Sequence, residues 1–290
     1  MFRVRSFVLF VIAALFVFAG FSRPAIAEDT LLFCNNPERI VAPGTYADTQ
    51  LRAGQTYTVF FHYNNTTRGR GDLVVALSGD AGTPLVFAAR RGFANAHRDP
   101  TIAGRQAMAR YLSAPVKSYR GKKGTAHFGM SVGSRQTASG VVSFTAQSDA
   151  RLRIYWRHNK WTVPGARVIA VDSPRRNVDI LLAKGRAGER YRIGVPDAGM
   201  NKRLDGTYGM MYSFKVDAPP GSRVRVSFSP RGGHGGMVGS VNGSLHQTDI
   251  VPAAHWKVFC EAIVGAGGLT LTTSPFGGVF YPVELFFRIL

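Results

Sequence analysis

Acidic side chains are scarce in this sequence. Its 290 residues include 17 aspartates and glutamates against 36 lysines and arginines, which gives a formal net charge of +19 at pH 7. A shortage of acids on this scale leaves a strongly basic surface. Such a surface favours anionic partners, among them acidic polysaccharides, cell-wall polymers, lipid headgroups and nucleic acids.

Long apolar runs are also rare. The longest covers residues 7–21, follows Arg3 and Arg5, and precedes Pro24 and a small-residue stretch that ends at Ala27. It is about 15 residues long, whereas a membrane-spanning helix needs roughly 20. A charged, an apolar and a small-residue region in this order indicate a secretory signal, so we predict residues 1–27 as a signal peptide cleaved after Ala27. A retained membrane anchor is the alternative.

No later stretch approaches spanning length, so we expect no transmembrane segment after cleavage. The remaining 263 residues suit two domains of about 130 residues each. The signal contains three arginines and no acid, so the mature chain keeps a charge of +16. We expect a secreted, periplasmic or cell-surface protein whose partner is an anionic polymer or another cell-envelope component. For an exported protein, nucleic acid is not expected.

Cysteine is nearly absent, with Cys34 near one end of the mature chain and Cys260 near the other. Two distant cysteines exclude a clustered thiolate site, and the seven histidines lack the spacing of metal ligands. We therefore expect no metal site and no cofactor. In an oxidising compartment a Cys34–Cys260 disulfide is predicted, with two unpaired buried thiols as the alternative.

Apolar residues alternate with polar ones along most of the mature chain, as half-buried strands require. The sets that share one face are Tyr57, Val59, Phe61 and Tyr63; Leu152, Ile154 and Trp156; Tyr191, Ile193 and Val195; Val224, Val226 and Phe228; and Val283, Leu285, Phe287 and Ile289. Turn-forming residues separate these runs. The pattern predicts an all-β chain of two tandem β-sandwich domains, with at most one short helix over residues 101–112.

Segments of the first half recur in the second half in the same order. Residues 52–59 resemble 186–193, residues 87–92 resemble 228–233, and residues 141–145 resemble 269–273. Each half then ends on a strand, and the first half carries about 13 extra residues. These matches favour a tandem duplication, with chance recurrence of turn and strand chemistry as the alternative. The predicted boundaries are one β-sandwich over 28–160, a linker over 161–177 and a second β-sandwich over 178–290.

The second half carries a set of glycine-rich motifs. They are DGTYGMMY at residues 205–212, SPRGG at 229–233, VNG at 241–243 and TSPFGG at 273–278, before a final strand. Together they resemble an exported β-domain of unknown function found in cell-surface proteins of Firmicutes and cyanobacteria. The resemblance covers mainly residues 178–290. It implies a surface location and assigns no catalysis.

The most unbalanced segment is 90–135, with ten basic residues against the single acid Asp99. Aromatic residues alternate with these charges, as in many sites that bind polyanions or sugars. The candidate anion-binding residues are Arg90, Arg91, Arg110, Lys117, Arg120, Lys122 and Lys123. The alternative is a solvated loop whose charge only keeps the protein soluble.

A second basic signal lies on predicted strands. Arg190 and Arg192 share one strand face, as do Arg223 and Arg225. Rows of like charge on neighbouring strands repel each other unless an anion lies between them. The alternative is that the rows lie on separate strands, each solvated.

Signals for catalysis are weak, and the catalytic residues of any enzyme remain unknown at this level. No nucleophile elbow is present, and the acids are scattered. We interpret the chain as a non-catalytic surface or secreted protein that binds or organises anionic polymers. One alternative is a secreted polysaccharide hydrolase that uses carboxylates such as Asp72, Asp99 or Asp205. Another is a structural or adhesive surface component.

Overall fold

The computed structural model describes residues 29–79, 85–121, 124–158, 160–195 and 206–290. The predicted signal peptide lies outside these residues. The described part of the chain contains twenty strands and one helix. None of its helices is long and apolar enough to cross a membrane.

The first half of the chain forms eleven strands and the helix. Their bounds are β1 (Thr30–Asn36), β2 (Arg39–Ile40), β3 (Gly44–Leu51), β4 (Thr56–Asn65), β5 (Gly71–Ser78), β6 (Val86–Phe93), α1 (Pro100–Ser113), β7 (Lys117–Arg120), β8 (Thr125–Val132), β9 (Thr137–Ala146), β10 (Ala150–Trp156) and β11 (Arg167–Asp172). Sheet A has the order β11-β1-β4-β9-β6-β7, with β2 also beside β4, and sheet B has the order β3-β10-β5-β8. These two sheets form the first sandwich.

The second half forms nine strands. Their bounds are β12 (Arg175–Leu181), β13 (Glu189–Ile193), β14 (Met211–Asp217), β15 (Arg223–Pro230), β16 (Val238–Val241), β17 (Ser244–Gln247), β18 (Lys257–Ile263), β19 (Leu269–Thr273) and β20 (Val283–Ile289). Sheet C has the order β12-β14-β19-β16-β17, and sheet D has the order β13-β20-β15-β18. The chain is therefore all-β, with two tandem β-sandwiches.

The two sandwiches repeat one topology. In sheet A the parallel pair β1 and β4 is followed by the antiparallel strands β9 and β6. In sheet C the parallel pair β12 and β14 is followed in the same way by β19 and β16. Sheets B and D match in the same way. The helix lies between β6 and β7, and its counterpart in the second half is the tight turn between β16 and β17. The extra residues of the first half are therefore mainly this helix.

Only part of the predicted correspondence falls on equivalent strands. Residues 141–145 and 269–273 lie on β9 and β19, and the terminal strands β10 and β20 also correspond. However, residues 52–59 lead into β4, whereas 186–193 end in β13, the counterpart of β3. Residues 87–92 and 228–233 are likewise on non-equivalent strands. These two matches reflect similar turn-then-strand chemistry rather than equivalent positions.

Alternation places the predicted apolar faces in the two cores. Phe61, Tyr63 and Trp156 are fully buried in the first core, and Phe228 and Phe287 are fully buried in the second. Burying an aromatic side chain of this size stabilises the fold by roughly 1.5–3 kcal/mol. Val195, by contrast, is 41% exposed, because it lies beyond the end of β13.

The helix α1 spans 14 residues, close to the predicted range. Asp99 caps it: its Oδ1 atom accepts hydrogen bonds from the backbone N–H groups of Thr101 (2.8 Å) and Ile102 (3.4 Å). The buried face includes Ala107, Met108 and Tyr111. Ala109 and Leu112 are partly buried against the second core, so the helix packs between sheet A and the second sandwich.

The outer face of sheet A carries the junction between the sandwiches. Phe60 of β4 stacks on Tyr208 of the second sandwich, with 6.0 Å between ring centroids. The hydroxyl of Thr101 donates to the carbonyl of Gly278 (2.7 Å), and Arg105 donates to the carbonyl of Thr248 (2.9 Å). Apolar and polar contacts thus fix one sandwich against the other.

The predicted disulfide is wrong. Cys34 and Cys260 are both free and buried. Cys34 lies in the core of the first sandwich and Cys260 in that of the second, so each thiol packs as a small apolar group in a separate core. Burial raises the pKa of both thiols, that of Cys260 to about 12, which keeps them protonated and unreactive.

The predicted linker 161–177 is also part of the fold. It contributes β11, which pairs antiparallel with β1, and the first residues of β12, which pairs with β14. Only Ser173 and Pro174 separate β11 from β12. Sheet A therefore includes residues beyond the predicted end of the first sandwich at residue 160.

Candidate anion-binding site

The basic segment 90–135 divides between two faces of sheet A. Arg90 and Arg91 are neighbours on β6, and successive side chains of a strand point to opposite faces. Arg91 therefore shares the inner face with Phe87 and Ala89 of the first core, whereas Arg90 lies on the outer face toward α1. The five candidates that the structure describes therefore do not form one continuous surface.

Arg91 covers the aromatic end of the first core. Its guanidinium carbon lies 5.6 Å from the ring centroid of Tyr119 and 5.1 Å from that of Phe128. Both rings also contact Phe87. These are cation–π distances, so Arg91 is partly occupied in stabilising the edge of the sandwich.

Arg90 lies at the end of a polar row that crosses three strands. Thr58 of β4 is directly opposite Ser143 of β9, and Ser143 is directly opposite Arg90 of β6. A parallel row places Thr56 beside Thr145. Directly opposite residues share one face of a sheet, so these side chains meet on the outer face.

A recess of about 220 Å³ opens over this row. Its polar lining includes Thr56, Arg90, Tyr111, Ser143, Thr145 and Arg175. The Nε atom of Arg90 is buried, and no described residue accepts a hydrogen bond from it. The guanidinium carbon lies 5.9 Å from the ring centroid of Tyr111. The recess, which we call the Arg90 recess, therefore holds a guanidinium donor that lacks an acceptor in the described part of the chain.

Hydroxyl groups connect the floor of the Arg90 recess. Thr56 and Thr145 hydroxyls are 2.7 Å apart, as are those of Thr58 and Ser143, and the Tyr111 hydroxyl lies 2.5 Å from that of Ser143. Each hydroxyl can donate or accept. The floor can therefore orient donors toward an oxygen-rich ligand without moving the backbone.

Arg175 reaches the mouth of the recess from the second sandwich. It is the first residue of β12, is exposed, and forms an ion pair with Asp29. The Arg90 recess is therefore built by both sandwiches. Its position depends on the junction described above.

The other candidates have separate positions. Arg110 donates to the carbonyl of Phe93 (2.6 Å) and to Asn95 (3.2 Å), which ties it to the loop after β6. Lys117 and Arg120 are exposed on the edge strand β7, where Lys117 shares the face of Arg91 and Arg120 that of Arg90. Lys122 and Lys123 lie outside the described residues. Arg120 is thus the candidate of β7 that shares the face of Arg90, and it lies opposite Val86 of β6.

The arginine rows of the second sandwich are compensated. Strand β20 lies between β13 and β15, and its Glu284 accepts hydrogen bonds from Arg190 (3.0 Å) and Arg231 (2.8 Å). Glu261 pairs with both Arg223 and Arg225. Each carboxylate thus takes the place between two arginines that we expected an anion to fill.

Electrostatics confirm that these carboxylates stay ionised. Hydrogen bonding from Arg225, with the charges of both arginines, lowers the pKa of Glu261. Burial alone would raise the pKa of Glu284, but the hydrogen bonds from Arg190 and Arg231 outweigh it and lower that pKa. The same two arginines lie over the exposed ring of Trp256, at 5.2 and 5.4 Å.

A larger cavity than the Arg90 recess lies between the sandwiches. This interdomain cleft has a volume of about 620 Å³ and is lined by Glu38, His62 and Asp99 of the first sandwich and by Tyr208, His234 and Phe280 of the second, among others. Across the described ranges, no group of three or more His, Cys, Asp or Glu side chains could hold a metal ion.

The carboxylates of the hydrolase alternative are dispersed. Asp99 lines the interdomain cleft but is engaged as the helix cap, whereas Asp72 lies on β5 of sheet B and does not line the cleft. Asp205 falls outside the described residues. The structure therefore does not bring Asp72 and Asp99 together.

Sequence reasoning missed the partners of Arg90. Thr56, Thr145 and Ser143 occupy the polar positions of strands whose apolar faces were predicted, so alternation marked them as outward-facing. Which strands are neighbours is set by topology, however, and the sequence carries no local sign of it. Arg175 was not predicted as a site residue either, because residues 161–177 were interpreted as a linker.

Comparisons with known proteins add little to this geometry. No protein-family model and no curated protein matches the chain. Among solved structures, the chain is similar to the N-terminal CBM22-1-CBM22-2 tandem domain from Paenibacillus barcinonensis Xyn10C. The likeness covers 79% of this chain and 82% of that one, at 12% identity and a TM-score of 0.21. At that TM-score the similarity adds no weight, and the tandem β-sandwich fold rests on the strands themselves.

Proposed function

We propose that this chain is an exported, non-catalytic protein that binds acidic polysaccharide through the Arg90 recess. One observation carries the proposal: the buried Nε donor of Arg90 has no acceptor among the described residues, although it lies beside a network of hydroxyls. A buried donor without an acceptor is costly, and a small movement of the Arg90 side chain would let a ligand oxygen accept from it. The wider positive charge of the chain supports an anionic ligand.

A carboxylate group suits the recess. Arginine recognises carboxylates through two parallel hydrogen bonds, and the adjacent hydroxyls of Ser143 and Thr145 can donate to ring and hydroxyl oxygens of a sugar. The volume of about 220 Å³ is below the range of pockets that enclose whole drug-sized ligands. The recess is therefore large enough for one acidic group, while the rest of the polymer lies outside it.

The neighbouring edge strand extends the contact. Arg120 lies on the same face as Arg90 and is exposed. Lys122 and Lys123 follow it in sequence, and the proposal includes them for their charge alone. An extended polymer offers successive acidic groups, so several moderate charge contacts act together.

The test uses two forms of one polymer. The mature chain is passed over immobilised polygalacturonate and over the same polymer with its carboxylates reduced to neutral hydroxymethyl groups. We expect retention on the acidic form alone, and a steep fall with added salt because exposed charges are screened within ~8 Å at physiological ionic strength. Equal retention on both forms would overturn the proposal. Shortening of the polymer on incubation would instead identify the hydrolase.

A further inference from the structure

The interdomain cleft has the opposite charge character to the rest of the protein. Its described lining residues include the carboxylates of Glu38 and Asp99 and no lysine or arginine. Over the whole chain, basic residues outnumber acidic ones by 36 to 17. The interdomain cleft is therefore an acceptor-rich site within a strongly basic molecule, and it is unsuited to the anion that we propose for the Arg90 recess.

Aromatic and aliphatic side chains form the opposite wall of the cleft. Phe280 is 52% exposed there, with the His234 ring at its edge, 4.9 Å away between centroids. Tyr208, Ile250 and Val279 complete this wall. An exposed phenyl ring in a concavity offers a flat apolar surface to a ligand ring, and its face attracts cations.

The remaining imidazole at the base of the cleft adds no positive charge at neutral pH. His62 is 4% exposed, and burial lowers its pKa to about 4. Its Nδ1 atom is buried and finds no hydrogen-bond partner within the described ranges. The charge of the cleft is therefore set by the carboxylates at its rim.

Hydrogen bonds hold both sides of the cleft in place. The backbone N–H groups of Thr101 and Ile102 hold the Asp99 carboxylate, and the Thr101 hydroxyl is bonded to the carbonyl of Gly278. The rigid junction between the sandwiches fixes the distance between the acidic rim and the aromatic wall. A preorganised site loses little conformational freedom when a ligand binds, which favours affinity.

We propose that this cleft binds a small ligand with a protonated amine attached to a sugar or a ring of similar size. The amine would lie between the Glu38 and Asp99 carboxylates, and the ring would pack against Phe280. The volume of about 620 Å³ is within the range of small-molecule sites. The net positive charge of the protein is screened beyond ~8 Å at physiological ionic strength, so the nearby carboxylates dominate inside the cleft.

The test compares amines with neutral analogues of the same shape. Glucosamine is titrated into the mature chain by calorimetry alongside N-acetylglucosamine, and benzylamine alongside benzyl alcohol. We expect each amine to bind at least about tenfold more tightly than its neutral analogue. Binding of neither amine at millimolar concentration, or equal binding of amine and analogue, would overturn the proposal.

Variants locate the binding. Asp99→Asn removes the charge but keeps a residue that caps helices equally well, and Glu38→Gln removes the other charge. Each should weaken amine binding about tenfold, and Phe280→Ala should weaken it for both probes. Asp72→Asn, an exposed carboxylate on sheet B, is the matched control and should have no effect. Unchanged affinity in both Asp99→Asn and Glu38→Gln would contradict this site. Arg90→Gln should leave amine binding intact, so the two proposals fail independently.

Discussion

Gly104 of the helix packs directly against the backbone of Gly277 in the second sandwich, and a side chain at residue 104 would collide with the Gly277 carbonyl. The two glycines thus allow the helix and the second sandwich to approach each other closely. Both the Arg90 recess and the interdomain cleft depend on residues from both sides of this contact. The relative position of the sandwiches therefore sets the geometry of both proposed sites.

Gly104→Ala should destabilise the protein. In an exposed helix interior this change stabilises by roughly 1 kcal/mol, but overpacking a close contact costs about 1–3 kcal/mol. We expect the second effect to dominate, because the obstacle is backbone rather than a flexible side chain. Urea denaturation measures the free energy of unfolding. Gly267→Ala is the control, since a Cβ atom at residue 267 meets nothing within 4 Å. A Gly104→Ala variant more stable than the parent would show that the junction is looser than described.

His62 should make stability depend on pH. Its pKa is lowered by burial from 6.5 to about 4 in the folded state. Between these values the unfolded chain binds a proton that the folded chain does not, so stability falls as the pH drops from 6.5 toward 4. The slope contributed by one group is at most about 1.4 kcal/mol per pH unit. We compare the unfolding free energies of the parent and of His62→Gln from pH 7 to pH 4. The difference between the two proteins should narrow as the pH falls, because only the parent loses the contribution of the neutral imidazole. A difference that stays constant across this window would contradict a buried, neutral imidazole.

Glu284→Gln should destabilise the second sandwich. The carboxylate is 6% exposed and accepts hydrogen bonds from both Arg190 and Arg231. Loss of these charge-assisted bonds should cost about 1–3 kcal/mol at pH 7. Because the folded pKa of Glu284 is lowered, this contribution is present above the unfolded pKa and is lost as the pH falls through the folded value. Glu189→Gln, at an exposed position of the same sheet, should change the thermal midpoint little. Equal effects of the two substitutions would show that the bridge is not stabilising.

Period-two alternation was sufficient to predict the fold class. The faces of β4, β10, β15 and β20 could be recognised locally, because a buried strand face leaves its pattern in a few consecutive residues. A short helix over residues 101–112 was also expected, and α1 covers this range. Its buried residues were not, because a helix between two sandwiches is buried by partners that local periodicity does not reveal.

The errors concern relations between distant residues. Cys34 and Cys260 could be counted, but their separation depends on which core each strand enters. Arg90 and Arg91 belonged to one basic segment in sequence, yet strand geometry sends them to opposite faces. The same limit explains why Glu284 was not expected between two arginines. Pairing across strands is decided by topology, which composition does not encode.

The central claim is that acidic polymer binds at the Arg90 recess rather than through net charge. The most direct measurement is the affinity for polygalacturonate of two charge-matched double variants, Arg90→Gln with Arg175→Gln and Arg223→Gln with Arg225→Gln. Both remove two positive charges, and both release one paired carboxylate, Asp29 or Glu261. We predict a loss of about tenfold or more for the first variant and about twofold or less for the second. Equal losses in both variants would contradict the claim.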